Sequence, residues 1–143
     1  MAPDQGNTTP WKNAWTNLVN DVRQTFTPSL PILTAVEVEL VLVNPGPSDD
    51  QVTLYVRNAP GDALEVIANV VPVTDCSHVH FAFPNGGLGV TPGQVYSIGL
   101  SGGSAFGWKY VVGGYANRAA WFNGKPLLLE TRSTFLFQTY GAK

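Results

Sequence analysis

Apolar and polar residues alternate along this chain with a period of two, and this feature constrains its fold more than any other. Val36, Val38 and Leu40 fall on one face of the segment that begins near residue 34. Glu37 and Glu39 fall on the other face. Because successive side chains of a β-strand point to opposite faces, the segment is predicted to be a strand with one buried face and one solvated face.

The same alternation recurs further along the chain. In residues 52–57 the valines and the leucine are predicted to point inward, while Thr53, Tyr55 and Arg57 point outward. A third alternating segment includes residues 79–83. The residues predicted to lie in the core are Val36, Val38, Leu40, Val79, Phe81 and Phe137.

Clusters of turn-forming residues separate these segments. The chain contains 15 Gly and 11 Pro, and such clusters occur at residues 44–50, 58–62, 84–87, 91–94 and 123–124. Only residues 15–23 have a spacing that fits a helical turn or two, because Leu18 and Val22 lie four apart. The pattern predicts an all-β protein, an antiparallel two-sheet β-sandwich of jelly-roll type with about eight or nine strands.

The length of 143 residues predicts a single domain. A chain of this size buries roughly two-thirds of its unfolded surface and needs neither a metal nor a disulfide to fold. Because the first residues are polar and lack a pattern, residues 1–20 are predicted to be an irregular segment that packs on the domain. The β-sandwich domain is predicted to occupy residues 21–141.

The charge and cysteine content exclude several classes of protein. The chain has eight Lys and Arg residues and ten Asp and Glu residues, and only 13% of the residues are charged. A nucleic-acid partner is not expected, because phosphate binding requires a basic stripe. No apolar run reaches the roughly 20 residues of a membrane helix, and the first residues lack the layout of a signal peptide. Cys76 is the single cysteine, so no internal disulfide can form.

A metal enzyme is one alternative suggested by the sequence. On a strand, Cys76, His78 and His80 would share a face, and both histidines could reach one metal ion. A jelly roll with such a pair resembles the cupin metal site. However, cupins supply a further Glu and a third His, and this chain has only two His. A strand with its polar face in water explains the pattern better, and no enzymatic activity is expected.

An aromatic cluster predicts a binding site. Aromatic residues are dense between residues 106 and 122, where glycines and polar side chains separate them. Flat rings beside amide and cationic donors suit a sugar ring. The predicted ligand-binding residues are Trp108, Tyr110, Arg118, Trp121 and Asn123. The alternative is that Trp108 and Tyr110 belong to the core, and Trp121 is the strongest single candidate.

Six short motifs occur in order along the chain, at residues 24–28, 33–38, 92–98, 107–110, 120–124 and 135–141. In this order they resemble the secreted bacterial β-sandwich modules that recur in large surface proteins and beside glycoside hydrolases. The resemblance covers about residues 4 to 141. It implies a fold like that of carbohydrate-binding modules and a non-catalytic role outside the cell or at its surface. The implied partner is a glycan or a cell-surface protein.

The same resemblance implies that no cofactor is required and that a structural Ca²⁺ is compatible with the fold. Ca²⁺ prefers oxygen ligands from carboxylates, amides and loop carbonyls. The candidate ligands are Asp4, Asn7, Asp49, Asp50 and Asp62. A structural or assembly module without a small ligand is the remaining alternative, in which the aromatic residues form the core or a subunit interface.

Overall fold

A computed structural model of the chain describes residues 2–7, 14–18, 22–42, 51–57, 70–72, 79–101, 106–112, 120–122, 125–126 and 133–143. These residues form fifteen strands, and none of them lies in a helix. The described segments accordingly contain no helix long and apolar enough to cross a membrane. The prediction of an all-β protein is confirmed.

The strands, in chain order, are β1 (Ala2–Asn7), β2 (Ala14–Asn17), β3 (Val22–Phe26), β4 (Ile32–Val38), β5 (Leu40–Leu42), β6 (Gln51–Arg57), β7 (Val70–Pro72), β8 (Val79–Ala82), β9 (Leu88–Gly89), β10 (Tyr96–Ser101), β11 (Phe106–Val112), β12 (Ala120–Phe122), β13 (Lys125–Pro126), β14 (Ser133–Phe135) and β15 (Phe137–Ala142). More strands are present than the eight or nine predicted. The difference has three sources: two long strands are each interrupted by one residue, β9 and β13 are only two residues long, and β1 and β2 lie in the segment predicted to be irregular.

The strands form three antiparallel sheets. Sheet A has the order β1-β15-β4-β8, with β9 also paired to β4. Sheet B has the order β14-β11-β2, with β5 also paired to β11. Sheet C has the order β13-β12-β3-β10-β6-β7. This arrangement is consistent with a β-sandwich, while the jelly-roll connectivity stays a prediction.

Sheets A and B meet at a junction of three strands. Glu39, between β4 and β5, donates its backbone N–H to the carbonyl of Leu136 at 3.2 Å. Leu136, between β14 and β15, donates to the carbonyl of Lys109 at 2.9 Å. Lys109, in the middle of β11, donates to the carbonyl of Glu39 at 3.1 Å. The three residues therefore close a ring of backbone hydrogen bonds, which we call the strand junction.

One hydrophobic core contains residues from all three sheets. The residues predicted to be buried are all at most 4% exposed: Val36, Val38, Leu40, Val79, Phe81 and Phe137. Their burial is confirmed. The alternating pattern identified them because a half-buried sheet puts every second side chain into the core.

A buried glutamine connects sheet C to sheet B. Gln24 of β3 is fully buried, and its Oε1 accepts the backbone N–H of Phe135 at 2.8 Å. Its Nε2 donates to the carbonyl of Thr25 at 2.9 Å. Phe135 pairs with Tyr110 of β11, so the glutamine satisfies a main-chain donor of β14 that does not bond to β11. The polar side chain is stable in the core because both ends of its amide are bonded.

The described part of the first residues differs from two expectations. The segment predicted to be irregular contains β1, which pairs with β15, and β2, which pairs with β11. Where residues 15–23 are described they are not helical, because β2 ends at Asn17, Leu18 lies in a turn and β3 begins at Val22. Leu18 and Val22 are both buried, so their spacing reflects two separate contacts with the core. The predicted boundary between residues 20 and 21 stays a prediction.

The hydrogen bonds of the Gln24 amide are predicted to stabilise the folded state. Gln24→Met keeps the length of the side chain but leaves the Phe135 N–H buried without an acceptor. We expect the free energy of unfolding to fall by about 1–3 kcal/mol, as measured by urea denaturation. The matched control is Gln138→Met on the half-exposed face of β15, which should change stability by at most about 0.5 kcal/mol. Equal stability of the two variants would contradict the role assigned to Gln24.

Candidate functional site

Trp108 lies in the core. Its side chain is fully buried in β11, and its indole Nε1 donates to the carbonyl of Leu136 at 3.0 Å. Its ring stacks on that of Phe135, with centroids 4.1 Å apart and an angle of 14° between the planes. No face of this ring is exposed to a ligand. Trp108 is therefore a core residue, which is one of the two alternatives that the sequence left open.

Tyr110 also packs against the core. It is half-buried, and the edge of its ring meets Phe135 with centroids 6.1 Å apart and planes at 84°. Trp108 and Tyr110 lie two residues apart on the same strand, and both contact Phe135. The two rings therefore help to hold β14 against β11.

Trp121 occupies a different sheet. Its backbone lies in the middle of β12, opposite Arg23 of β3 and Pro126 of β13. Arg118 and Asn123, also predicted to bind ligand, lie outside the described residues, as do Cys76 and His78. The backbone of Trp121 therefore lies in a different sheet from Trp108 and Tyr110, and it pairs with Arg23.

A row of paired residues runs from Trp121 across the three central strands of sheet C. Gly99 of β10 is paired with Arg23 of β3 on one side and with Tyr55 of β6 on the other. Trp121, Arg23, Gly99 and Tyr55 thus occupy one row across four strands. We call the outward positions of β3, β10 and β6 the sheet C face; they are Arg23, Thr25, Thr53, Tyr55, Arg57, Ser97, Gly99 and Ser101.

Gly99 allows a guanidinium to lie close to the backbone of this face. A Cβ atom at Gly99 would lie 3.1 Å from Nη1 of Arg57 and 3.8 Å from Cγ of Arg23. The guanidinium carbon of Arg57 is 5.3 Å from the centroid of the Tyr55 ring, within the range of a cation–π contact. Arg57 therefore crosses from its own position in β6 towards the row that contains Gly99 and Tyr55.

A second row of the sheet C face contains a buried hydroxyl. Ser97 is paired with Thr25 on one side and with Arg57 on the other. Ser97 is fully buried, and its Oγ has no hydrogen-bond partner within the described part of the chain. A buried hydroxyl without a partner costs about 1–3 kcal/mol. Such a group in a folded protein calls for an explanation, for example a ligand or a water molecule.

Sequence reasoning missed the central residues of this face as a group. It predicted that Tyr55 and Arg57 point outward, and the structure confirms that β6 turns Val52, Leu54 and Val56 into the core. It did not connect them with Gly99, because the pairing of β6 with β10 joins residues more than forty positions apart. The remaining local signal was a glycine inside the alternating segment 95–100, which indicates a close approach to the backbone.

A polar cluster occupies the outward face of sheet A. Glu37 pairs with His80 of β8, and Nδ1 of His80 lies 3.0 Å from Oε2 of Glu37. The hydroxyl of Tyr140 donates to Oε1 of the same carboxylate at 3.0 Å. Partial burial raises the pKa of Tyr140, and the hydrogen bond to Glu37 and its charge raise that pKa further. The described residues contain no group of three or more His, Cys, Asp or Glu that could hold a metal ion.

Asp4, a candidate Ca²⁺ ligand, accepts hydrogen bonds from the segment that connects β3 to β4. Its Oδ2 accepts the backbone N–H groups of Ser29 at 2.9 Å and Leu30 at 3.3 Å. Its Oδ1 accepts the Ser29 hydroxyl and Nε2 of Gln5. Burial raises the pKa of Asp4, but these hydrogen bonds outweigh burial and lower it overall. The side chain of Asn7 and the whole of Asp49, Asp50 and Asp62 lie outside what the structure describes.

No protein-family model matches the chain, and no curated protein matches it. The resemblance to secreted β-sandwich modules therefore remains a prediction from the six sequence motifs.

The cluster of Glu37, His80 and Tyr140 gives a prediction about pH. In Glu37→Gln, the pKa of Tyr140 should fall towards its ordinary value of 10.0 but stay above it, because burial remains. NMR resonances of the Tyr140 ring, followed as pH rises, measure this change. In the wild type, the folded state holds the Tyr140 proton more tightly than the unfolded state. The resulting stabilisation should be complete below about pH 10 and decrease as pH rises through the folded pKa.

The control is Glu39→Gln, which removes a carboxylate that lies 3.8 Å from Nζ of Lys109. This variant should leave the pKa of Tyr140 unchanged. An equal shift in both variants would mean that Glu37 has no specific effect on Tyr140.

Proposed function

We propose that this chain is a non-catalytic binding module that recognises carbohydrate through the sheet C face. The observation that carries the proposal is the row formed by Arg23, Gly99 and Tyr55 across three strands, with the Arg57 guanidinium above it. A half-buried aromatic ring and cationic donors are thereby combined on one surface. Arg23, Tyr55 and Arg57 are each half-buried.

The chemistry of a sugar matches this surface. The C–H face of a pyranose ring packs on an aromatic ring, while its hydroxyl groups accept hydrogen bonds from guanidinium N–H groups. Gly99 lacks a side chain, and this leaves room for the Arg57 guanidinium to lie over the strand beside the Tyr55 ring. Trp121 lies at the end of the same row in backbone register, and the sequence independently predicts it as a ligand contact.

The extracellular or cell-surface location of this module is part of the proposal. It is supported by the ordered motifs that resemble secreted β-sandwich modules. A cell-surface protein that carries glycans is therefore a suitable partner. The net charge of −2 and the absence of a basic stripe in the sequence favour this class of partner over nucleic acid.

One observation favours a second candidate, a structural or assembly module without a small ligand. Trp108, predicted as a ligand contact, is stacked in the core on Phe135. If the other aromatic residues were also used for packing, the chain would serve to connect or space neighbouring domains. A cupin-like enzyme is less well supported, because His80 lies beside Glu37 and Tyr140 on a surface where the described residues form no metal-binding group.

A binding titration tests the proposed function. Neutral and acidic oligosaccharides are added up to millimolar concentration, and binding is followed by calorimetry. Tyr55→Ala and Trp121→Ala should each weaken the affinity about two- to tenfold, because a stacked ring contributes about 0.5–1.5 kcal/mol. The matched control is Trp15→Ala, since Trp15 is 40% exposed on β2 of sheet B. It should bind as the wild type does.

Two outcomes would contradict the proposal. One is the absence of binding by every oligosaccharide at millimolar concentration, which would favour the structural module. The other is a loss of affinity in Trp15→Ala as large as that in Tyr55→Ala. Circular dichroism of each variant establishes that its strand content matches that of the wild type.

A further inference from the structure

The charge of the sheet C face limits the ligands that it can bind. Its eight positions include two arginines, Arg23 and Arg57, and no acidic residue. The protein as a whole carries a net charge of −2. The face therefore carries positive charge although the net charge of the whole chain is negative. A positive face favours a ligand with negative charge.

The Arg57 side chain is held in place before any ligand arrives. Its guanidinium contacts the Tyr55 ring on one side and approaches the backbone at Gly99 on the other. No ion pair with a described carboxylate uses its charge. A planar guanidinium fixed in this way can form two parallel N–H···O bonds with a carboxylate, and little entropy is lost when they form.

Ser97 supplies a second, independent observation. Its hydroxyl is buried without a partner in the described structure, and the residue is paired directly with Arg57. The hydroxyl and the guanidinium thus occupy the same side of neighbouring strands. A ligand oxygen bound there would satisfy a donor that is otherwise unused.

We propose that the sheet C face binds an acidic sugar, with Arg57 receiving the carboxylate of a uronic acid and the Ser97 hydroxyl donating a further hydrogen bond to it. This inference rests on the proposed function, because it names the class of sugar that the same face takes. The Tyr55 ring packs beside the sugar, and Gly99 leaves room for the Arg57 guanidinium that receives the carboxylate. A planar carboxylate matches the guanidinium fork in two bonds, and its oxygens are more basic acceptors than those of a sulfate ester, so these bonds are stronger.

The decisive experiment compares two ligands that differ only in charge. Oligogalacturonate and its methyl ester have the same sugar rings, and a sulfated neutral oligosaccharide provides a third ligand. We expect the acid to bind about ten- to a hundredfold more tightly than the ester. We also expect the sulfated ligand to bind more weakly than the acid. The preference for the acid should decrease as salt is added.

Variants assign the preference to individual residues. Arg57→Gln should lose most of the preference for the acid and keep only the small part that comes from the charge of Arg23. Arg57→Lys should retain more of the preference than Arg57→Gln but less than the wild type, because it keeps the charge without the fork. Lys143→Gln removes one exposed charge next to β15 in sheet A and should bind as the wild type does. Ser97→Ala should weaken binding of the acid several-fold without lowering the Tm, because the hydroxyl it removes has no partner in the free protein.

The outcomes separate this inference from the proposed function. Equal binding of acid and ester by the wild type would overturn the inference while the carbohydrate-binding function stands. Tighter binding of the sulfated ligand would overturn the assignment to a carboxylate. If Arg57→Lys, with a normal circular dichroism spectrum, kept the full preference, the role of the Arg57 fork would be wrong. Absence of all binding would overturn both proposals.

Discussion

The strand junction is the constraint on which the rest of this structure depends. Glu39, Lys109 and Leu136 each donate one backbone hydrogen bond to the next residue of the ring, at 2.9 to 3.2 Å. Each of the three strands pairs with one neighbour before the junction and with the other after it. Sheets A and B are therefore joined through the main chain. Trp108 strengthens this point, since its indole N–H also donates to the carbonyl of Leu136.

Sheet C is attached to this framework from the inside. Its inward residues belong to the common core, and Gln24 reaches from β3 to the backbone of Phe135, next to the junction. The polar and aromatic groups on the other side of sheet C are not needed for this attachment. A rigid sheet attached through its inner face can present Arg57 and Tyr55 outward in fixed positions, and this is the requirement for a pre-organised binding surface.

The sequence predicted those features that depend on local alternation. It identified Val36, Phe81 and the other tested core positions, because strand side chains alternate with a period of two whatever the partner strand is. It failed at Leu18 and Val22, where a spacing of four arises from a turn residue that follows β2 and the first residue of β3, both buried in one core. It left Trp108 undecided between core and ligand site, because its burial depends on Phe135, which lies 27 positions away. The row of Arg23, Gly99 and Tyr55 likewise depends on strand register, which alternation does not specify.

Hydrogen exchange at the strand junction tests the account most directly. If the ring of hydrogen bonds joins sheets A and B, the amide protons of Glu39, Lys109 and Leu136 should be among the slowest to exchange. Their opening free energies should approach that of global unfolding measured by denaturant. Amides of the edge strand β1 should exchange through smaller local openings. Exchange of the three junction amides as fast as those of β1 would contradict the central role of the junction.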